Sequence, residues 1–195
     1  MAKFFSNKVQ ASQLSQSEIL AQKYQRARHN LLLIVVFTFI NIILLVTNSN
    51  TYFLFSATIP YYLADLGMFL CGKYPEDYYW GLEGMELLDN SFLVVMLVIA
   101  AVIILLYLLS WIFCKKPRVG WMIFALVFFA LDTLGMLWLT GISSDAIIDV
   151  VFHAWVIISL ISGIISYFKL KKLPDEPMEE PVEALVAEQP PVEVE

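Results

Sequence analysis

Apolar residues in this chain occur in long blocks that are separated by short polar and basic stretches. Four blocks are long enough to cross a hydrocarbon core of about 30 Å, for which a helix needs about 20 mostly apolar residues. They are residues 31–47, 91–114, 120–140 and 146–168. Because backbone N–H and C=O groups must be paired inside lipid, a spanning segment of this kind is helical. The pattern therefore predicts an all-α integral membrane protein with four transmembrane helices.

Residues 52–70 form a fifth apolar and aromatic block, which we do not predict to span the membrane. Pro60 lies near its middle, and Asp65 and Gly67 also interrupt it. The block is instead predicted to be an interfacial or re-entrant helical segment that caps the bundle, with Pro60 near a helix start or a kink. It belongs to a first exoplasmic loop, residues 48–90, whose six acids and one base favour cations over anions.

The basic residues determine the predicted orientation. With four spans, eleven of the twelve Lys and Arg residues lie on one side of the membrane, and only Lys73 lies on the other. Since cytoplasmic loops carry an excess of Lys and Arg, both termini are predicted to be cytoplasmic. The predicted cytoplasmic parts are an amphipathic basic segment at residues 1–30, a loop at 115–119 and a tail at 169–195; a short exoplasmic turn covers 141–145.

Two groups of residues are candidates for contact with lipid or a protein partner. Residues 12–30 are predicted to form a helix that lies along or emerges from the inner surface, with Arg26 and Arg28 at anionic headgroups. The exoplasmic loop carries an aromatic cluster of the kind that often docks a partner. Its members are Tyr78, Tyr79 and Trp80.

Composition and charge exclude two broad classes of protein. Hydrophobic residues make up 59% of the 195 residues, charged residues make up 15%, and the mean hydropathy is +0.73. A soluble domain has about 25% charged residues, so a soluble globular protein is excluded. The formal charge is −6, but eight of the eighteen acids lie in the last 23 residues, and residues 1–172 carry +2. No continuous basic face is available to bind nucleic acid. The acidic, proline-rich tail is predicted to be disordered.

Three ionisable residues fall inside the predicted spans: Asp132, Asp149 and His153. A carboxylate near the middle of a bilayer costs about 2.5 to 3.5 kcal/mol, so a partner is expected for each. Asp145, Asp149 and His153 follow one another at intervals of four residues and share one helical face. His153 is also predicted to lie at a depth similar to that of Asp132. Gly163, further along the same span, is predicted to let helices pack closely.

Three interpretations of these polar residues remain open. In the first, Asp132 bonds to His153 and clamps two helices together. In the second, Asp132, Asp149 and His153 supply two carboxylates and an imidazole that ligate a metal cation or relay protons. Catalysis or the binding of a polar substrate is a third use. Thr38 and Asn41 of the first span either join this polar interior or bond across helices.

No sequence motif assigns a function. The chain has no P-loop, dinucleotide-binding glycine motif, nucleophile elbow, zinc-ligand motif or haem motif, so an enzyme is disfavoured. No cofactor is predicted apart from a cation at the intramembrane residues. In general form the chain resembles small four-pass proteins of bacterial cytoplasmic membranes, and this resemblance implies a location without a function.

Three hypotheses for function follow. The first is a non-enzymatic accessory, assembly or scaffold subunit that acts by association with a membrane-protein partner or with further copies of itself. The alternative is a small cation- or proton-linked channel or transporter that uses Asp132, Asp149 and His153. The third is a membrane enzyme that acts on a lipid substrate with the same residues as acid and base.

Overall fold

The computed structural model describes residues 2–49, 51–82, 84–115, 118–141 and 147–173, with side chains described from residue 16 onward. Within these ranges the regular structure is entirely helical, with no β-strand. The helices are α1 (Ala2–Val46), α2 (Thr58–Leu70), α3 (Asn90–Phe113), α4 (Val119–Thr140) and α5 (Ile147–Leu170). A short 3-10 helix, Glu76–Tyr79, lies between α2 and α3.

The prediction of four apolar helices long enough to cross a membrane is confirmed. They are α1, α3, α4 and α5, and together they indicate an integral membrane protein. In α1 the candidate span is Gln16–Val46, so the predicted polar segment at residues 12–30 continues without a break into the first span. A stripe of buried residues runs along both parts of α1, at alternating spacings of three and four residues. It consists of Leu20, Tyr24, Ala27, Leu31, Ile34, Thr38, Asn41 and Leu45.

Contacts between helices define the two ends of the bundle. At one end, the Tyr24 hydroxyl donates to the carbonyl of Cys114 at 3.3 Å, and the Tyr24 ring centroid lies 6.2 Å from that of Tyr167. We call this the Tyr24 end. At the other end, the Leu88 N–H donates to the Leu70 carbonyl at 2.8 Å, which joins the end of α2 to the start of α3. We call this the α2 end. Thus α1 and α4 run toward the α2 end, and α3 and α5 run away from it.

The helices α1, α4 and α5 pack closely where they meet at Gly163. A Cβ atom added at Gly163 would lie 2.5 Å from the Ala27 Cβ and 2.9 Å from the Met122 Sδ, which is closer than real Cβ contacts allow. Only glycine therefore fits at this crossing, in agreement with the predicted role of Gly163. Phe129 of α4 and Leu160 of α5 are buried in the same apolar cluster as Ala27 and Met122.

The fifth helix, α2, begins inside the bundle and ends at the α2 end. After Val46 the chain turns back between the long helices as an irregular segment, in which Phe55 adopts a φ of +69°. This left-handed conformation is unusual for a bulky residue, and the Phe55 ring is held 3.9 Å from the Phe152 ring, centroid to centroid. Pro60 is the third residue of α2, near a helix start as its sequence position indicates, where its missing N–H leaves no helical bond unmade.

Candidate functional site

Asp132 of α4 holds the first residues of α2. Its Oδ2 accepts the backbone N–H of Thr58 at 2.9 Å, and its Oδ1 accepts the backbone N–H of Ile59 at 2.8 Å. The residue is only 2% exposed. A carboxylate at a helix N-terminus is stabilised both by the free N–H groups and by the positive end of the helix dipole. The main partner of Asp132 is therefore the start of α2, which compensates much of the cost of burying its charge.

Every backbone N–H group at the start of α2 has a hydrogen-bond acceptor. A helix leaves its first four N–H groups without partners inside the helix. Here the N–H of Ala57 donates to the Thr38 hydroxyl at 2.7 Å, and those of the next two residues donate to Asp132. Pro60 has no N–H to satisfy. The helix start can therefore lie in an apolar bundle without leaving an unpaired donor.

Asn41 holds the irregular segment that leads into α2. Its Oδ1 accepts the N–H of Phe53 at 2.8 Å, and its Nδ2 donates to the Phe53 carbonyl at 2.7 Å and to the Ser56 hydroxyl at 2.9 Å. Thr38 and Asn41 lie one turn apart on the buried stripe of α1. These two residues therefore position the returning segment instead of bonding directly to another long helix.

His153 of α5 lies against the same helix start. Its Nε2 is 3.3 Å from the Asp132 Oδ2 and 3.3 Å from the Thr58 hydroxyl, while its Nδ1 is 2.9 Å from the Asp149 carbonyl. A carbonyl oxygen only accepts hydrogen bonds, so we assign the ring proton to Nδ1. Neutral His153 then accepts at Nε2 from the Thr58 hydroxyl, whereas charged His153 donates from Nε2 to Asp132. Both states have partners, and they differ by one positive charge.

The structure separates Asp149 from this pair. Asp132 and His153 are in contact, but Asp149 reaches His153 only through its backbone carbonyl. The Asp149 side chain is half-buried and lines a neighbouring cavity of about 230 Å³, together with Thr58 and Tyr62. Within the described residues, no three His, Cys, Asp or Glu side chains are grouped so that they could hold a metal ion. Binding of a cation or proton by the three predicted residues stays a prediction.

A second and larger cavity opens at the α2 end. It measures about 370 Å³ and is lined by Asp65 and by several aromatic residues, among them Tyr52 and Tyr61. The same two tyrosines also line the cavity beside Asp149, and their rings meet edge to face with centroids 5.1 Å apart. They therefore form the partition between the two cavities. Burial raises the pKa of Tyr52 to about 12, so its ring is uncharged at neutral pH.

Sequence reasoning did not identify this larger cavity. Asp65 served only as an argument against a fifth span, although Tyr61 and Asp65 are four residues apart in a segment that Pro60 marks as the start of a helix. That spacing puts both side chains on one helical face. The residues from outside α2 that complete the cavity, such as Tyr52 and Tyr74, cannot be found by helical spacing.

Arg28 has a partner within the protein. Its Nε donates to the Trp111 carbonyl at 3.0 Å, and its guanidinium carbon lies 4.7 Å from the centroid of the Trp111 ring. A cation near the last carbonyls of a helix is favoured by the helix dipole. Arg28 therefore joins α1 to the last turns of α3, while Arg26 is exposed. The predicted lipid contact of these two residues stays a prediction.

The three aromatic contact candidates differ in accessibility. Tyr79 is half-buried, and its hydroxyl donates to the Phe69 carbonyl at 2.9 Å. Tyr78 is exposed and stacks on Tyr74 with ring centroids 5.0 Å apart. Trp80 is 90% exposed. Thus Tyr79 stabilises the loop, and Trp80 remains available to lipid or a partner.

Some residues named in the sequence-based predictions lie outside the part of the chain that the structure describes. They include Asp145 and nearly all of the predicted tail, residues 174–195. Comparison with protein-family models, with curated proteins and with solved structures found no match to this chain.

Proposed function

We propose that this protein is a small cation- or proton-linked membrane channel or transporter in which α2 is a re-entrant half-helix. In this proposal the α2 end is exoplasmic and both termini are cytoplasmic, which is supported by the eleven of twelve bases that fall on one side of a four-span chain. The larger cavity then opens to the outside.

The observation that carries the proposal is the position of the α2 N-terminus. It meets a buried carboxylate and a buried imidazole, Asp132 and His153, between two long apolar helices. Ionisable residues inside a membrane bundle are costly and commonly mark ion or proton pathways. Transporters also place the ends of broken helices at their binding sites, and irregular backbone at membrane depth is tolerated where it is buried in protein or lines a water-filled cavity.

The two cavities suggest a route from the α2 end to this pair. A proton or small cation would enter beside Asp65, pass the partition of Tyr52 and Tyr61, and reach the cavity that contains Asp149. Thr58 lines that inner cavity and its hydroxyl is also in contact with His153. In the proposal, His153 passes a proton on by alternating between its two hydrogen-bonding arrangements, with Asp132 as its carboxylate partner.

Toward the Tyr24 end, α3 carries two buried polar groups that suggest where the route continues. The Tyr107 hydroxyl and the Trp111 Nε1 are buried and have no hydrogen-bond partner among the described residues. An unpaired buried polar atom costs about 1 to 3 kcal/mol unless water satisfies it. In the proposal the route continues along this face of α3, where the two groups lie one helical turn apart.

The test is proton flux into liposomes that contain the purified full-length protein. A potassium gradient with valinomycin imposes the membrane potential, and a dye sealed inside reports the pH. We expect flux above that of empty liposomes. Asp149→Asn should reduce this flux at least tenfold, because it removes a carboxylate from the inner cavity without touching the bonds that hold α2. Asp77→Asn, which makes the same change at an exposed position, should leave flux unchanged.

Two results would contradict the proposal. Wild-type protein that conducts no more than empty liposomes would exclude transport of protons. Equal flux in wild type and Asp149→Asn would exclude the inner cavity as the route, and an equal loss of flux in Asp149→Asn and Asp77→Asn would assign the effect to charge alone. Circular dichroism of each reconstituted variant confirms that the helices are retained.

A second function, association with a partner, is favoured by a different observation. Trp80 is 90% exposed and is followed by three partly exposed leucines in the described part of the same loop, Leu82, Leu87 and Leu88. Aromatic and apolar residues of this kind are typical of docking surfaces. Native mass spectrometry of protein extracted gently from its own membrane tests this reading. A stoichiometric foreign subunit that is lost in Trp80→Ser supports an accessory role, whereas a bare monomer in both samples contradicts it.

A further inference from the structure

The larger cavity surrounds one carboxylate with aromatic rings. Its volume of about 370 Å³ falls in the range of about 300 to 1,000 Å³ that is usual for ligand sites. Asp65 is the only acidic residue among its described lining residues, and no Lys or Arg is among them. The aromatic lining consists of Tyr52, Tyr61, Phe69, Tyr74 and Tyr78. The site is therefore negative, aromatic and large enough for a small organic molecule.

The charge of Asp65 is not neutralised by the protein. Its Oδ1 accepts a very short hydrogen bond from the Tyr74 hydroxyl, whereas its Oδ2 receives no hydrogen bond from any described residue. Asp65 also forms no ion pair within the described part of the chain. The half-buried carboxylate thus leaves one oxygen free, and a bound cation would supply the missing opposite charge.

The tyrosines add an attraction for cations without adding charge. Burial, the hydrogen bond to Asp65 and its negative charge all raise the pKa of Tyr74, and burial raises the pKa of Tyr52 to about 12. Both rings are neutral at physiological pH and keep the negative π face that attracts a cation within about 6 Å of the ring centroid. Among the lining residues that the structure describes, Asp65 is then the single formal charge.

The same lining argues against other classes of ligand. A hard metal ion such as Ca²⁺ takes six or more oxygen ligands and binds more tightly as more of them are charged, and this lining offers one carboxylate beside the uncharged side chains of Asn48, Ser49 and Thr51. An anion would be repelled by Asp65. A cation whose charge is covered by alkyl groups loses little hydration on entering and contacts the rings directly.

From these observations we propose that the cavity binds an organic cation of the alkylammonium class, with Asp65 opposing its charge and the tyrosine rings enclosing its alkyl groups. This names the ligand class of the proposed transport protein. Only the ligand's role as a transported substrate rests on the proposed function, because binding itself requires no transport.

Equilibrium binding to the full-length protein in lipid nanodiscs tests the inference. Isothermal titration calorimetry is performed with choline, with tetramethylammonium and with the uncharged isostere of choline, in which a tert-butyl group replaces the trimethylammonium group. We expect both cations to bind and the isostere to bind at least about tenfold more weakly, since shape is preserved and only charge is lost.

Two variants and a matched control locate the site. Asp65→Asn should weaken choline binding about tenfold or more, because it removes the only formal charge among the described lining residues. Tyr61→Leu should also weaken binding, because it removes one ring face. Glu86→Gln removes the same charge as Asp65→Asn from an exposed position outside the cavity, and it should bind choline like the wild type.

The inference is overturned if wild-type protein binds neither cation, if the isostere binds as tightly as choline, or if Asp65→Asn binds choline as tightly as wild type. The first two outcomes need no variant, so a misfolded mutant cannot obscure them. Failure of the proposed function is separable: choline binding without any proton flux keeps this site and rejects the proton route, whereas proton flux without choline binding keeps the proton route and rejects this site.

Discussion

Asp132→Asn tests whether this carboxylate anchors the start of α2. The carboxylate accepts the N–H groups of Thr58 and Ile59 through different oxygens, and an amide has only one oxygen. The best arrangement keeps the Asn oxygen on Ile59 and points its NH₂ group at His153, which accepts at Nε2 when neutral. The N–H of Thr58 then faces a donor and is left unpaired in a buried site.

The size of the effect follows from these bonds. A hydrogen bond to a charged group contributes about 1.5 to 3 kcal/mol, and a buried N–H left without a partner costs about 1 to 3 kcal/mol. These terms overlap because both describe the bond lost at Thr58, and the favourable interaction of charge with the helix dipole is lost as well. We expect the anchoring of α2 to weaken by about 3 kcal/mol, which is about a hundredfold in an opening equilibrium.

Hydrogen–deuterium exchange in nanodiscs, read by mass spectrometry, measures this opening directly. Peptides that cover α2 should exchange about a hundredfold faster in Asp132→Asn than in wild type, while α3 and α5 remain protected. Asp149→Asn is the matched control, because it makes the same change to a carboxylate that holds no α2 amide. Its α2 peptides should exchange within about fivefold of wild type.

Two outcomes would refute this reasoning. If α2 exchanges equally in the two variants, Asp132 does not anchor its N-terminus. If α4 and α5 open as much as α2, Asp132 acts mainly as the clamp between long helices that the sequence suggested, and the bonds to α2 are secondary.

Three further predictions concern packing, hydrogen bonding and pH. Gly163→Ala should destabilise the protein by about 1 to 3 kcal/mol through overpacking and lower its melting temperature, whereas Gly120→Ala, with nothing within 4 Å of the added Cβ, should not. Thr38→Val removes the acceptor for a buried N–H at the start of α2, so α2 peptides should exchange at least fivefold faster, in line with a cost of about 1 to 3 kcal/mol. The bonds from Ser91 lower the pKa of the Asp89 carboxyl, so this cap of α3 is fully formed above the ordinary pKa of Asp and is lost as pH falls through the lowered value. A carboxyl-carbon NMR titration should show that lowered midpoint, and Ser91→Ala should move it upward; an unchanged midpoint would contradict the capping role.

The sequence predicted much of the architecture because the membrane imposes strong local requirements. A run of apolar residues such as Asn90–Phe113 has one plausible structure in lipid, whatever its neighbours are. The same reasoning found Asp132 and His153, since charge in an apolar run is visible without any partner. Pro60 likewise pointed to a helix start or a kink, and it lies in the first turn of α2, where proline fits.

The hydrogen-bond partners of these residues could be predicted from the sequence only in part. The clamp interpretation paired Asp132 with His153, and the two side chains are in contact at 3.3 Å. However, the shorter bonds of Asp132 go to backbone amides 74 and 73 residues earlier in the chain. A backbone N–H exists at nearly every position and leaves no mark in the sequence, so side-chain patterns do not reveal it.

The sequence alone determined that the chain is helical, has four long apolar segments and carries ionisable residues within them. Those properties depend on composition and spacing within one segment, where the cost of exposing polar groups to lipid leaves few choices. Only the tertiary structure decided that α2 begins among the long helices, that Asn41 holds the returning segment, and that Asp65 lies within a ring of tyrosines. These are contacts between segments, and helical periodicity specifies which face of a helix is polar but not which group it meets.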